Sequence, residues 1–183
     1  EAAKLIKAQR NDVEFQLLGA IDSGNPSGVP QSVVEDAVSN GFINYLGTTS
    51  DVLPVISEAD CMVLPSYREG ISRVLMEAAS MEKPIIATNV TGCREVINDG
   101  ETGFLCKVKS PVDLAHKMAK IINMTEKEKV VMGQKGRVKV IEEMDLEKII
   151  DIYDYKIAAV LGEEEGITVD LQDLISLRKT KKI

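Results

Sequence analysis

Cys61-Met62-Val63-Leu64-Pro65-Ser66 leads into Glu69-Gly70-Ile71-Ser72-Arg73-Val74-Leu75-Met76-Glu77, and the passage from one segment to the other decides the fold. The first segment is a short apolar run closed by proline, the pattern of a strand buried on both faces. The second carries Ile71, Val74, Leu75, Ala78 and Ala79 at i, i+3, i+4, i+7 and i+8, the stripe of an amphipathic helix. The spacing predicts a strand over 61–65 and a helix over 71–81 that begins near Gly70. The short loop between them leaves unpaired backbone N–H groups facing outward, where they attract phosphate or another anion.

The alternation continues in both directions. Val13-Glu14-Phe15-Gln16-Leu17-Leu18 before Gly19 predicts a strand, and Asp22 to Gly28 is a polar loop rich in turn formers. A helix over 31–40, a strand over 42–46 ending at Gly47, and a helix ending near Ala59 follow. Thr48, Thr49 and Ser50 offer caps for that last helix, and Pro54 falls in its first turn, where proline is tolerated. Downstream come a strand over 84–88, a short helix over 93–97 and a brief strand at Phe104-Leu105. After Pro111 the pattern is helical, over 112–124, 126–143 and 146–161, with Thr125 and Asp145 as caps. Apolar strands joined by helices predict an α/β fold, a Rossmann-like parallel sheet with helices on both faces and extra C-terminal helices. Its ligand lies outside the carboxyl ends of the strands.

Composition narrows the classes. The chain has 183 residues, 44% hydrophobic and 28% charged, which suits a soluble domain with a full core. Lys and Arg number 22 against 29 Asp and Glu, and the net charge of −7 argues against nucleic acid as a partner. Cys61, Cys93 and Cys106 are widely spaced, without the Cys-x2-Cys pattern of zinc or redox pairs, and read as reduced packing residues of a cytoplasmic protein. No apolar run reaches transmembrane length. His116 has no acid, cysteine or second histidine arranged around it and reads as a surface residue. Glu1 to Ile6 looks like the interior of an amphipathic helix, so the expectation is a chain cut from something larger. The expected division is a domain over 1–160, lacking its first strand, and a partly helical tail over 161–183. That tail ends in Arg178, Lys179, Lys181 and Lys182 after an apolar stripe, which suits either a solvated helix end or contact with a membrane surface.

Glu69 and Glu77 carry the chemical reading. At the helical rise, eight residues separate them by roughly 12 Å along the axis, with an angular offset of about 80°. Glycosidase carboxylates lie about 5–10 Å apart across one bond, so this spacing does not make an acid/base pair. It suits a long ligand lying along the helix, with each carboxylate accepting hydroxyl protons from a different part, and a nucleotide-sugar has that shape. The plainer reading makes Arg73 and Glu77 an i,i+4 surface pair and Glu69 an acid that complements the helix dipole.

A longer set of residues goes beyond spacing. Pro65-Ser66, Glu69-Gly70, Glu77-Ala78-Ala79, Lys83 to Thr88, Gly92, Glu95 and Asp99 to Leu105 occur in the order and spacing of a known family. Here the chain resembles the retaining, GT-B-fold glycosyltransferases, the glycosyl transferases group 1, in their C-terminal, donor-binding half. The resemblance implies one half of a GT-B fold that binds a nucleotide-diphosphate sugar, linked to UDP or GDP, and transfers its sugar to an acceptor hydroxyl with retention, in polysaccharide or glycolipid synthesis. It makes Glu69 the residue beside the donor sugar, Glu77 the grip on the ribose hydroxyls, and Gly70, Ile71 and Ser72 the turn whose N–H groups meet the phosphates. Tyr45 and Gly47 lie where relatives contact the base.

The resemblance implies no cofactor and no metal site, since the nucleotide-sugar is a substrate and donors at a helix mouth hold the departing diphosphate. It also implies a partner, an N-terminal acceptor-binding domain missing from this chain. The family's arginine and lysine for the diphosphate would precede Glu1, so this polypeptide alone is expected to be inactive. A lipid-linked acceptor would bring the enzyme to the inner membrane face as a peripheral protein. The last helix, over 146–160, either docks on the other half or packs as an ordinary helix. Glu95 is either a donor contact or a structural acid at a helix start. The alternatives are a GT-B-fold nucleotide-sugar epimerase and a non-catalytic Rossmann-like binding module.

Overall fold

The computed structural model describes residues 1–21 and 28–161. Most of the polar loop expected at Asp22 to Gly28, and the tail after Leu161 with its basic end, lie outside the described residues. The chain divides into two compact units, Glu1–Ile141 and Glu142–Ile183.

In the first unit strands and helices alternate as α1 (Ala2–Lys7), β1 (Gln16–Leu18), α2 (Gln31–Ser39), β2 (Asn44–Gly47), α3 (Leu53–Glu58), β3 (Met62–Leu64), α4 (Arg73–Ser80), β4 (Ile85–Thr88), α5 (Thr91–Val96), β5 (Gly103–Cys106) and α6 (Pro111–Asn123). All ladders among the described residues are parallel. The strands fall in two hydrogen-bonded sheets, β1-β2 and β3-β4-β5, with Met62 opposite Ile85 and Ile85 opposite Gly103. The α/β class with parallel strands is therefore as read from the sequence, with the ladder divided in two.

Burial explains the central position of β4. Ile85, Ile86, Ala87 and Thr88 are all buried. Ile86 joins Ala2, Ile6, Ala115, Met118, Ile121 and Met132 in one apolar cluster, so α1 and α6 cover that face. Strand alternation turns Ile85 and Ala87 to the opposite face, and α4 packs against β3 and β4 with Leu75, Ala78 and Ala79 buried. A fully buried side chain of this size contributes about 1.5–3 kcal/mol over an exposed one, so β4 is the most strongly fixed strand.

Caps set the helix starts. Ser110 Oγ accepts from the Asp113 N–H, with Pro111 in the first turn of α6. Thr125 and Glu128 form a reciprocal capping box at α7 (Glu126–Glu143), and the Asp145 carboxylate accepts from the Glu147 and Lys148 N–H groups at α8 (Leu146–Leu161). The expected caps for α3 are corrected. Thr48, Thr49 and Ser50 do not cap it directly, because Thr49 Oγ1 accepts from Asp51 and the Asp51 carboxylate then accepts from Leu53 N.

Candidate functional site: the loop between β3 and α4

The helix that carries Glu77 begins later than its periodicity predicts. Ser72 is the N-cap of α4, and its extended backbone, φ −83 and ψ 114, keeps the residues before it out of the helix. Glu69, Gly70 and Ile71 therefore lie in the loop after β3, and the rise computed over eight helical residues applies only from Arg73 onward. Ile71, expected on the core face, is 60% exposed for the same reason. Ser72 is 3% exposed and its side chain makes no capping hydrogen bond, so no serine oxygen covers the first N–H groups of α4.

Two anchors from the next strand and helix hold this loop. Thr88 Oγ1 donates to the Ser66 carbonyl and ties the loop's start to the end of β4. Gly92, in the first turn of α5, lies directly against the loop's middle. A Cβ at Gly92 would stand 1.8 Å from the Gly70 carbonyl oxygen and 2.7 Å from that of Glu69. Only glycine permits that approach. Cys93 follows, fully buried, and its thiol is pushed up by burial first and then by the Glu69 charge. Burial likewise raises Cys106, with Asp113 adding to it, and takes Cys61 to about 12. All three cysteines are free, and the upward shifts favour the unreactive thiol over the thiolate.

Glu77 opens onto a cavity. A groove of about 390 Å³ is lined by Leu53 from α3 and by Arg73, Met76, Glu77, Ser80 and Met81 along α4. Among the described residues neither Arg73 nor Glu77 makes an ion pair or a side-chain hydrogen bond, so the i,i+4 surface pair of the plainer reading does not form. Both charges border the groove instead.

The β1-β2 sheet holds the remaining predicted residues. Tyr45 Oη donates to the Gly19 carbonyl at 2.8 Å, and the Gly19 N–H donates to the Gly47 carbonyl at 2.8 Å. Gly47 has φ +74, a left-handed turn that ends β2 and leads toward α3. No hydrogen bond among the described residues joins Tyr45 or Gly47 to the Glu69–Glu77 segment, and the element that meets it across the groove is α3. Glu95 and His116 are exposed. No cluster of three His, Cys, Asp or Glu among the described residues has the arrangement to hold a metal ion. No described helix is long and apolar enough to cross a membrane.

Residues 1–124 match the family model Glycosyl transferases group 1. The chain belongs to this family. It is 30% identical over 122 residues to a Campylobacter jejuni N,N'-diacetylbacillosaminyl-diphospho-undecaprenol alpha-1,3-N-acetylgalactosaminyltransferase, covering 67% of this chain and 30% of that one. To the Staphylococcus aureus capsular polysaccharide biosynthesis glycosyltransferase CapM it is 27% identical over 166 residues, covering 91% and 43%. The chain thus spans less than half the length of these relatives. Among solved structures, Anabaena HepE in complex with UDP superposes with a TM-score of 0.76 at 19% identity, covering 86% of this chain and 44% of that one. A glycosyltransferase from Rickettsia africae gives 0.72 at 25%, covering 84% and 42%. The fold is that of part of a GT-B glycosyltransferase, and in this family member the β3–α4 loop and its groove form the candidate site.

The sequence reading missed the groove's apolar walls and the anchoring role of Thr88 and Gly92. Both anchors stand inside the family motif, but their role is a contact made across β4.

Proposed function

We propose that the chain is the C-terminal, donor-binding half of a retaining glycosyltransferase, which moves a sugar from a nucleotide-diphosphate sugar to an acceptor hydroxyl in polysaccharide or glycolipid synthesis. The observation that carries this reading is that Glu77 and Arg73 face a common groove unpaired, with Glu69 on the adjoining loop beyond an uncapped helix start. The UDP bound to HepE and the lipid-linked name of the C. jejuni relative support the donor and acceptor classes. Both curated relatives are glycosyltransferases, which leaves the epimerase reading without support.

In this reading Glu77 accepts hydroxyl protons from the ribose and Glu69 from the donor sugar. Charge grows on the diphosphate as the glycosidic bond breaks, and the N–H groups of the Gly70–Ser72 turn, beside the uncapped positive end of α4, receive it. Tyr45 and Gly47 border the base. The acceptor binds on an N-terminal half outside these residues, and the exposed Leu146, Ile150, Tyr153 and Ile157 of α8 suit docking on that half. In this reading the enzyme is cytoplasmic, and a lipid-linked acceptor would draw it to the inner membrane face.

Calorimetry of the chain with UDP and GDP tests the assignment. One of the two should bind, and Glu77→Ala should weaken it about tenfold, the effect of removing a charge-assisted hydrogen-bond partner. Absence of binding by the unsubstituted chain, or binding indifferent to Glu77→Ala, overturns it in favour of a non-catalytic module.

A further inference from the structure

The charges on α4 run against the helix. An α-helix favours acids in its first turn, and where a cation and an acid stand four apart, the acid should come first. Asp113 opens α6, Glu126 and Glu128 open α7 and Glu147 opens α8, whereas the shorter α1, α2, α3 and α5 carry no acid in the first turn. In α4 the order is reversed. Arg73 is its first residue, no acid stands in the first turn, and Glu77 follows at i+4. Neither side chain compensates by pairing with the other or with another described residue. A cation at the positive end of a helix, lacking a partner and lining a cavity, gains stability when an anion enters that cavity.

We infer that Arg73 is a further donor-binding residue whose guanidinium grips the diphosphate of a nucleoside diphosphate lying in the α3–α4 groove. The inference rests on the donor-half reading and goes beyond it by giving the phosphates a side-chain contact on α4 itself. Position supports this ligand over a neutral one. Arg73 stands one helical turn, about 6 Å, before Glu77, on the side of the Gly70–Ser72 turn. A ligand whose ribose meets Glu77 and whose sugar reaches Glu69 carries its phosphates past Arg73. The planar fork suits this role, since it binds two phosphate oxygens at once where lysine offers a point charge. Because Arg73 is exposed, exchanging it does not disturb the core.

The test compares nucleosides with nucleotides. Affinities of the chain for uridine and UDP, with guanosine and GDP in parallel, are measured by calorimetry at several salt concentrations for the unsubstituted chain, Arg73→Gln and Arg73→Lys, with circular dichroism as the check on folding. Arg73→Gln should weaken the diphosphate about tenfold or more while leaving the nucleoside unchanged, and should flatten the salt dependence. Arg73→Lys should fall between. If the diphosphate binds but Arg73→Gln changes neither its affinity nor its salt dependence, or lowers nucleoside and diphosphate equally, the role of Arg73 is overturned while the donor reading stands. If the unsubstituted chain binds neither diphosphate, the donor reading falls and this inference with it.

Discussion

β4 and β2 are both four-residue parallel strands, yet every residue of β4 is buried and none of β2 is. The difference separates two ways of holding a site. On the β3-β4-β5 side, apolar burial fixes the strand and the strand then fixes the loop, through Thr88 on Ser66 and Gly92 on Gly70. On the β1-β2 side, Leu17 and Leu46 are exposed and the strand ends are held by the Tyr45 and Gly19 hydrogen bonds. In the proposed function the first side grips phosphates and sugar, where a small misplacement costs rate. The second borders the base, where packing needs less accuracy.

The sharpest way to break this contrast is at Gly92. Gly92→Ala forces a Cβ into the Gly70 carbonyl and should cost roughly 2–4 kcal/mol in urea denaturation. Gly70→Ala, whose Cβ would meet nothing within 4 Å, should stay within about 0.5 kcal/mol of the unsubstituted chain. Equal midpoints for the two variants would remove the anchor from the account. A smaller effect is expected at Thr88, where Thr88→Val leaves the part-buried Ser66 carbonyl without its donor, at about 1–2 kcal/mol. Tyr45→Phe makes the matching change on the exposed side. Water can replace the lost hydroxyl at the Gly19 carbonyl, so the loss should be about 0.5 kcal/mol, and a loss as large as that of Thr88→Val would erase the distinction.

The smallest effect concerns pH and lies next to the exposed side. The Arg10 guanidinium, hydrogen-bonded to Asp12 at 2.6 Å, lowers that carboxyl from 3.8 to about 2. A depressed carboxylate stabilises the fold above its unfolded value and stops doing so as pH falls through its folded value. Its contribution is therefore complete above about pH 4–5 and lost toward pH 2. Both side chains are well exposed, so the change should be slight and should shrink in salt. Denaturation of Asp12→Asn at pH 6 and pH 2 measures it, and a variant that differs more from the parent at pH 2 than at pH 6 contradicts the sign.

Much of this was legible from the residues alone. The order of strands and helices follows from apolar runs and periodicity, and the caps at Thr125 and Asp145 follow from residue type at a boundary. Glu69 and Glu77 stood out through spacing and family motif together. The start of α4 was misplaced because Ile71 fits the apolar stripe, whereas the extended backbone at Ser72 is set by how the loop packs. At α3 the N-cap is Val52, which has no side-chain oxygen to offer, and the Asp51 carboxylate before it accepts from Leu53 N. The Gly92 anchor needs two loops brought together by β4, and the groove needs α3 placed beside α4. Neither juxtaposition has a local signature.

The central claim is that Glu77 reads ribose hydroxyls in a nucleotide lying along α4. A cycle of four affinities tests it most directly: UDP and 2′,3′-dideoxy-UDP, or the guanosine pair if that base binds, each against the unsubstituted chain and Glu77→Ala. If the claim holds, removing the hydroxyls weakens binding to the unsubstituted chain about as much as Glu77→Ala does, and removing both costs no more than removing one. Losses that simply add would place the carboxylate and the hydroxyls in separate interactions and contradict it.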